Sequence, residues 1–260
     1  MQVEKVFFHV PYKNLMKNLD FISKHAIDCE IFFDADALDI CSEKDIDLIN
    51  STLNDHGLSR TIHAPFMDLN LGSFDSRIRE TTYKRFEQTL ALCKSLDARS
   101  AIFHSMFFPL YYESTLKRWL QYAKEGWQPL LTMAKKCGVT IIIENSVDTS
   151  PKAILALLKE INDESFKACL DFGHYYIFGE KTGLEYLKEY PKGSIKEIHL
   201  SDNNTKSDQH LGLGKGSLPF TDFFRALDEL SISPIVTVET HTLEDILVSR
   251  TYLKSQGVLT

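Results

Sequence analysis

Short apolar runs recur along the chain: VEKVFFHV from Val3, CEIFF from Cys29, RTIHAP from Arg60, SAIFH from Ser100, VTIIIEN from Val139, KACLDF from Lys167, IKEIHLSD from Ile195 and IVTVETH from Ile235. Several place β-branched or other apolar residues on consecutive positions, the pattern of strands buried on both faces of a parallel sheet. Between them the period becomes helical. From Arg77 to Leu96 the apolar face is Tyr83, Phe86, Leu90, Cys93 and Leu96; from Leu116 to Cys137 it includes Leu116, Leu120, Trp127, Leu130 and Leu131. Strand starts fall roughly 25–40 residues apart, the length of a strand-plus-helix unit. Eight such units, with no linker rich in Pro, Gly or Ser, predict an α/β chain folded as a single (β/α)8 TIM barrel, one domain over residues 1–260. A doubly wound open sheet is the alternative, weakened because the first strand-to-helix turn carries no GxGxxG.

Composition narrows the function. With 43% hydrophobic and 25% charged residues, the 260-residue chain falls in the ordinary globular class. Lys+Arg 29 against Asp+Glu 36 leaves a formal charge of −7, so an anionic partner must be held by a local site and not by the field of the whole surface. Five cysteines without CxxC spacing fit a reducing compartment. The opening MQVEKVFFHVPY lacks a basic segment followed by a longer apolar one, and no run approaches the roughly 18 apolar residues of a membrane span. The expected compartment is the cytoplasm, with no membrane partner.

In a barrel of this class, chemistry gathers at the C-terminal ends of the strands. Six consecutive runs end in a metal-type donor: His63, His104, Glu144, Asp171, His199 and Glu239. A lone histidine or glutamate is usually a satisfied or solvated side chain. Barrel strands converge, however, and this many imidazoles and carboxylates in one mouth would repel or go unpaired without a cation. His174 follows in LDFGH, and Asp208 with His210 forms a DQH triplet in the loop after the seventh run. Nitrogen and oxygen donors suit zinc, manganese, cobalt or iron. Four donors would hold one ion, whereas nine imply two or three ions with shared carboxylates. Cys169 is expected inside the barrel. His9 and His241 are expected to be structural.

IHAPFMDLNLGS, FHS, IIIENS, CLDFGHYYIFG, IHLSDNN with DQHLGLGKG, and VTVET, in this order, resemble the superfamily of xylose-isomerase-like TIM barrels that contains endonuclease IV and the sugar isomerases and epimerases. The resemblance to endonuclease IV implies three zinc ions: one on His63, His104 and Glu144, one on Glu144, Asp171, His199 and Glu239, and one on His174, Asp208 and His210. The resemblance to sugar isomerases and epimerases implies one manganese-like ion on Glu144, Asp171, His199 and Glu239, with the two glutamates exchanging protons. The chain departs from both patterns. Asp34, Asp36 and Asp39 stand where a DNA enzyme would present basic side chains, Phe66 replaces a tyrosine and Lys215 replaces an acidic residue. The ketohexose epimerases' arginine after the seventh strand and second glutamate after Glu144 are missing.

The expected function is a divalent-metal-dependent sugar or sugar-phosphate isomerase or epimerase with Glu144 and Glu239 as proton-transfer groups; the alternative is an endonuclease IV-like phosphoester hydrolase on a trinuclear zinc site. The expected partner is a small carbohydrate or phosphorylated molecule, and the acidic second loop argues against duplex DNA. Lys206 and Lys215 are candidate phosphate ligands. Phe66 and Phe107, the latter with Phe108, Tyr111 and Tyr112, are candidates for an aromatic wall over the mouth.

Overall fold

The computed structural model describes residues 3–259. Its strands are β1 (Lys5–Pro11), β2 (Cys29–Phe32), β3 (Arg60–His63), β4 (Ser100–His104), β5 (Thr140–Glu144), β6 (Phe166–Asp171), β7 (Ile195–Leu200) and β8 (Ile235–Val238). All pair in parallel and in sequence order, and β8 returns to β1 through Lys5↔Ile235, closing a (β/α)8 barrel. Each strand coincides with the apolar run that predicts it, β1 extending one residue past its run to Pro11 and β6 beginning one residue earlier at Phe166. Helices alternate with the strands and cover the outer face of the sheet, while its inner face closes on the barrel interior.

The periodic segments behave as their spacing requires. One helix runs Ser76–Ser95 and another Leu116–Cys137, the second ended by Gly138 in the left-handed conformation (φ 69) that a C-terminal cap demands. Among the described residues no helix is long and apolar enough to cross a membrane. The main core lies between barrel and helices. Trp127, 2% exposed, stacks on Phe86 at 5.2 Å and meets Phe103 and Phe166 edge-on at 5.3 and 5.4 Å. Trp127→Ala would leave a cavity that these rings cannot close, and a loss of about 3–5 kcal/mol in urea unfolding is expected. A loss below about 1 kcal/mol would show that the helix repacks.

Register and loop chemistry place the site. His104 pairs with Glu144 and Asp171 with His199, while Glu144 pairs with Cys169 two residues before Asp171, so the donors of β4 and β5 and those of β6 and β7 form two pairs in register at the same end of the barrel. Beyond β8, Glu239 continues the ladder by donating its backbone N–H to Leu200 O at 2.9 Å. The motif after β3 proves structural. Asn70 Oδ1 accepts from Gly72 N and Trp119 Nε1, its amide donates to Met106 O, and a Cβ at Gly72 would sit 2.2 Å from the indole nitrogen. DLNLGS thus ties the loop that follows His63 to the one beyond His104.

Below the mouth, Ile102, Ile142 and Cys169 form a small apolar cluster inside the barrel. Beside it lie Glu30, Glu197 and Thr237, all with 0% exposure. Cys169 is in the interior as its position in KACLDF predicts. The two carboxylates are unforeseen.

Candidate metal centre

Each histidine of the site is turned by a specific partner. His63 donates Nδ1–H to Ala64 O at 2.9 Å, which leaves Nε2 facing Glu144 Oε2 at 3.3 Å and His104 Nε2 at 3.3 Å. His174 donates Nδ1–H to Asn145 O at 2.9 Å, leaving Nε2 3.6 Å from Asp208 Oδ2. Asn145, next to Glu144, also exchanges two hydrogen bonds with the backbone of Asp171 and so locks the ends of β5 and β6 together. Asp171 caps the short helix Phe172–Ile177 through Oδ1, while its Oδ2 has no hydrogen-bond partner. His199 Nδ1 lies 3.2 Å from Glu144 Oε1 and 3.5 Å from Glu239 Oε1.

The loop after β7 is folded around one buried carboxylate. Asp202, 1% exposed, accepts four backbone hydrogen bonds, from Asn203, Gly214, Gly216 and Leu218, at 2.8–3.1 Å. A Cβ at Gly216 would lie 2.3 Å from Asp202 Oδ1, so LGLGKG needs this glycine for the close approach. The loop held in this way delivers Asp208 Oδ2 to 3.2 Å from His210 Nε2, and His210 Nδ1 to 3.5 Å from Glu239 Oε2.

The nine predicted donors come together in three groups whose ligand atoms lie within 4.8 Å of one another: His63, His104 and Glu144; Glu144, Asp171, His199 and Glu239; and His174, Asp208 and His210. The donor set fits a divalent cation, because Glu144 Oε1, Asp171 Oδ2 and His199 Nδ1, all of the second group, are buried without a hydrogen-bond partner. Electrostatics agree. Burial opposes ionisation of Glu144 and Glu239, but the surrounding imidazoles hold both carboxyls well below their ordinary range. Burial pushes Asp171 up to about 6 and His104 down to about 3. His210 resists its own burial because Asp208 and Glu239 flank it, and it rises to about 9.

A proton therefore occupies His210 at neutral pH and must leave before a cation binds there. Zinc affinity of the third group is expected to rise by about tenfold per pH unit for each proton displaced, up to about pH 9. Competition against a chelating dye at about pH 6.5 and about pH 8.5 measures it. A pH-independent affinity would contradict the protonated His210.

Seven of the nine donors line a cavity of about 280 Å³, while Asp171 and His199 lie beneath it with 0% exposure. Phe32, Phe66, Val147 and Phe178 supply its apolar wall. Larger hollows of about 390 and 480 Å³ open at the N-terminal ends of the strands and contain no comparable donor group among the described residues. Of the predicted substrate contacts, Phe66 lines the cavity but Phe107 does not. It is 3% exposed and packs edge-on against Trp119 at 5.1 Å, because the loop folds its ring inward onto the helix. Lys215 pairs with Asp245 at 2.7 Å, and Lys206 sits exposed on the loop; neither reaches the cavity wall. Asp39 is paired with Arg85, and Asp34 caps the helix Ala35–Ile40, so two of the three acidic residues of the second loop serve that loop's own structure.

Two histidines expected to be structural also line the cavity. His9 lies 3.7 Å from Glu239 Oε1, and the His241 ring is 5.0 Å from that of His210. The signal for Glu30 and Glu197 was an acidic residue inside an otherwise apolar run, CEIFF and IKEIHL, since a charge within a strand buried on both faces has to face something polar.

A family model described as xylose isomerase-like TIM barrel matches residues 15–256. A Haemophilus influenzae protein named as a putative L-ribulose-5-phosphate 3-epimerase is 25% identical over 181 residues, 66% of this chain and 62% of that protein. A D-tagatose 3-epimerase-like protein superposes with a TM-score of 0.83 at 23% identity, over 98% of this chain and 97% of that one. A Thermus thermophilus protein, solved after soaking with zinc chloride, gives 0.82 at 22% identity over 97% of each chain.

Proposed function

Because the chain belongs to the xylose isomerase-like TIM barrel family, we propose that it is a divalent-metal-dependent isomerase or epimerase of a sugar or sugar phosphate. One observation carries this reading. Glu144 at the end of β5 and Glu239 just past β8 meet at His199 Nδ1 and both line a cavity near the small end of the usual ligand range, with aromatic walls against which the apolar face of one sugar can lie. The sugar epimerases named among the related proteins support the same substrate class.

Glu144, Asp171, His199 and Glu239 would hold the ion. When bound, a divalent cation supplies a Lewis acid that polarises the substrate's carbonyl and neighbouring hydroxyl and so acidifies the adjacent C–H. The rest falls to the protein. Both glutamates are held ionised, so either can take the proton. If the same carboxylate returns it to the neighbouring carbon while the hydroxyl proton passes to the former carbonyl oxygen, the carbonyl moves; if the other carboxylate delivers a proton to the original carbon from the opposite face, the centre inverts. Phe32, Phe66 and Phe178 exclude water that would compete for the proton.

The His174, Asp208 and His210 group favours a second reading, because a single-ion epimerase has no use for it. With further ions the same cavity would suit hydrolysis of a small phosphoester by a multinuclear centre. Metal content and solvent exchange separate the two. On the first reading, ketoses and their phosphates incubated with manganese-loaded protein in deuterated water gain deuterium next to the carbonyl. Three zinc ions per chain, phosphoester cleavage and no exchange would establish the second reading in its place.

A further inference from the structure

His199 is the one donor of the central group with carboxylates on both sides of its ring. Nδ1 faces the mouth, toward Glu144 and Glu239, while Nε2 faces down the barrel, 3.4 Å from Glu30 Oε2 and 3.7 Å from Glu197 Oε1. A neutral imidazole carries one N–H. For Nδ1 to present its lone pair to the mouth, that proton must sit on Nε2 and be accepted from below. Glu197 Oε1 is already engaged, accepting from Thr237 Oγ1. Glu30 is nearer and free: both of its oxygens are fully buried and without a hydrogen-bond partner, as is His199 Nε2. The neighbouring Cys169 thiol, a weak acceptor, is no substitute.

We propose that Glu30 is a positioning residue that fixes the tautomer and tilt of His199 by accepting its Nε2 proton, with Glu197, pinned by Thr237, as the wall behind it. The inference rests on the reading of His199 as a metal ligand. It also accounts for a feature the fold alone leaves costly, a carboxylate with 0% exposure on β2 with no hydrogen bond of its own. A ligating imidazole braced by a carboxylate behind it is better oriented and more basic than an unbraced one.

The test uses the full chain and three variants, Glu30→Leu, Glu30→Gln and His199→Ala. For each, zinc and manganese affinities are measured by chelator competition, and the melting temperature of the metal-free protein is recorded. Glu30→Leu is expected to bind about 10–100-fold more weakly, while its metal-free melting temperature stays level or rises, since an apolar group replaces an unpartnered acid. Glu30→Gln keeps an acceptor oxygen and is expected to recover most of the affinity. Two results would overturn the proposal: a Leu variant that binds as tightly as the wild type, or one whose lost affinity is matched by a lower metal-free melting temperature and is not restored by Gln. If His199→Ala loses affinity while Glu30→Leu does not, the metal site stands and the bracing role falls. If the wild-type chain binds neither ion, or His199→Ala binds as well as the wild type, both fall together.

Discussion

Glu144→Gln is expected to lower turnover by about 10²–10⁴-fold, the range for removal of a general base, and to reduce the metal content of the purified protein. The two effects share one cause. Glu144, 1% exposed, has His63, His104, His174 and His199 nitrogens within 3.2–3.8 Å and belongs to two of the three donor groups. Its carboxylate is at once a proton acceptor and the anion that keeps several imidazoles compatible in one buried space. A glutamine of the same shape preserves packing and removes the charge. Turnover at saturating metal reads the first role, and elemental analysis of protein purified without added metal reads the second. More than about a tenth of wild-type turnover in a fully loaded variant would exclude Glu144 as the base.

The second large effect is expected some distance from the reacting groups. Asp202→Ala strips a buried acceptor from four backbone N–H groups, those of Asn203 and Leu218 buried and those of Gly214 and Gly216 part-buried, at roughly 1–3 kcal/mol for each that water cannot reach. A net loss of about 3–5 kcal/mol in urea unfolding follows. The consequence for the site is selective. The loop bearing Asp208 and His210 loses its anchor, whereas Glu144, Asp171, His199 and Glu239 stand on strands or directly beyond them. The variant should lose metal at the His174, Asp208 and His210 group and keep it at the central one. Asp202→Asn, which presents an amide to N–H groups on one side, should fall between. Full metal content together with near-native stability in Asp202→Ala would show that the loop is held by something else.

Much of this was legible in the chain because strands buried on both faces leave little ambiguity. The eight apolar runs match β1–β8, and a helix of the predicted bounds occupies Leu116–Cys137. The strand-end donors were legible for the same reason, since period-2 geometry in a closed barrel fixes which way a terminal residue points. What escaped was set by loops and by the barrel interior. Phe107 and Lys215 lie on segments without periodicity, and their directions follow from partners distant in sequence, Trp119 and Asp245. DLNLGS, read as a family signature, is a hydrogen-bonded clasp around Asn70. Glu30 and Glu197 occupy inward positions whose chemistry emerges only when β2 and β7 are seen to face the same imidazole.

Barrel closure also sets when in the life of the polypeptide the site can exist. The pairing of Lys5 with Ile235 joins opposite ends of the sequence, and the central donor group is drawn from β5, β6, β7 and the residue after β8. A ribosome that has released only the first half of the chain has made His63 and His104 but neither His199 nor Glu239. Contacts so distant along the chain form late, after the closure entropy of the intervening segments has been overcome. The central donor group can thus assemble only after β5 to β8 have been made and have closed onto β1, and a chain truncated before β8 lacks Glu239 and cannot complete it.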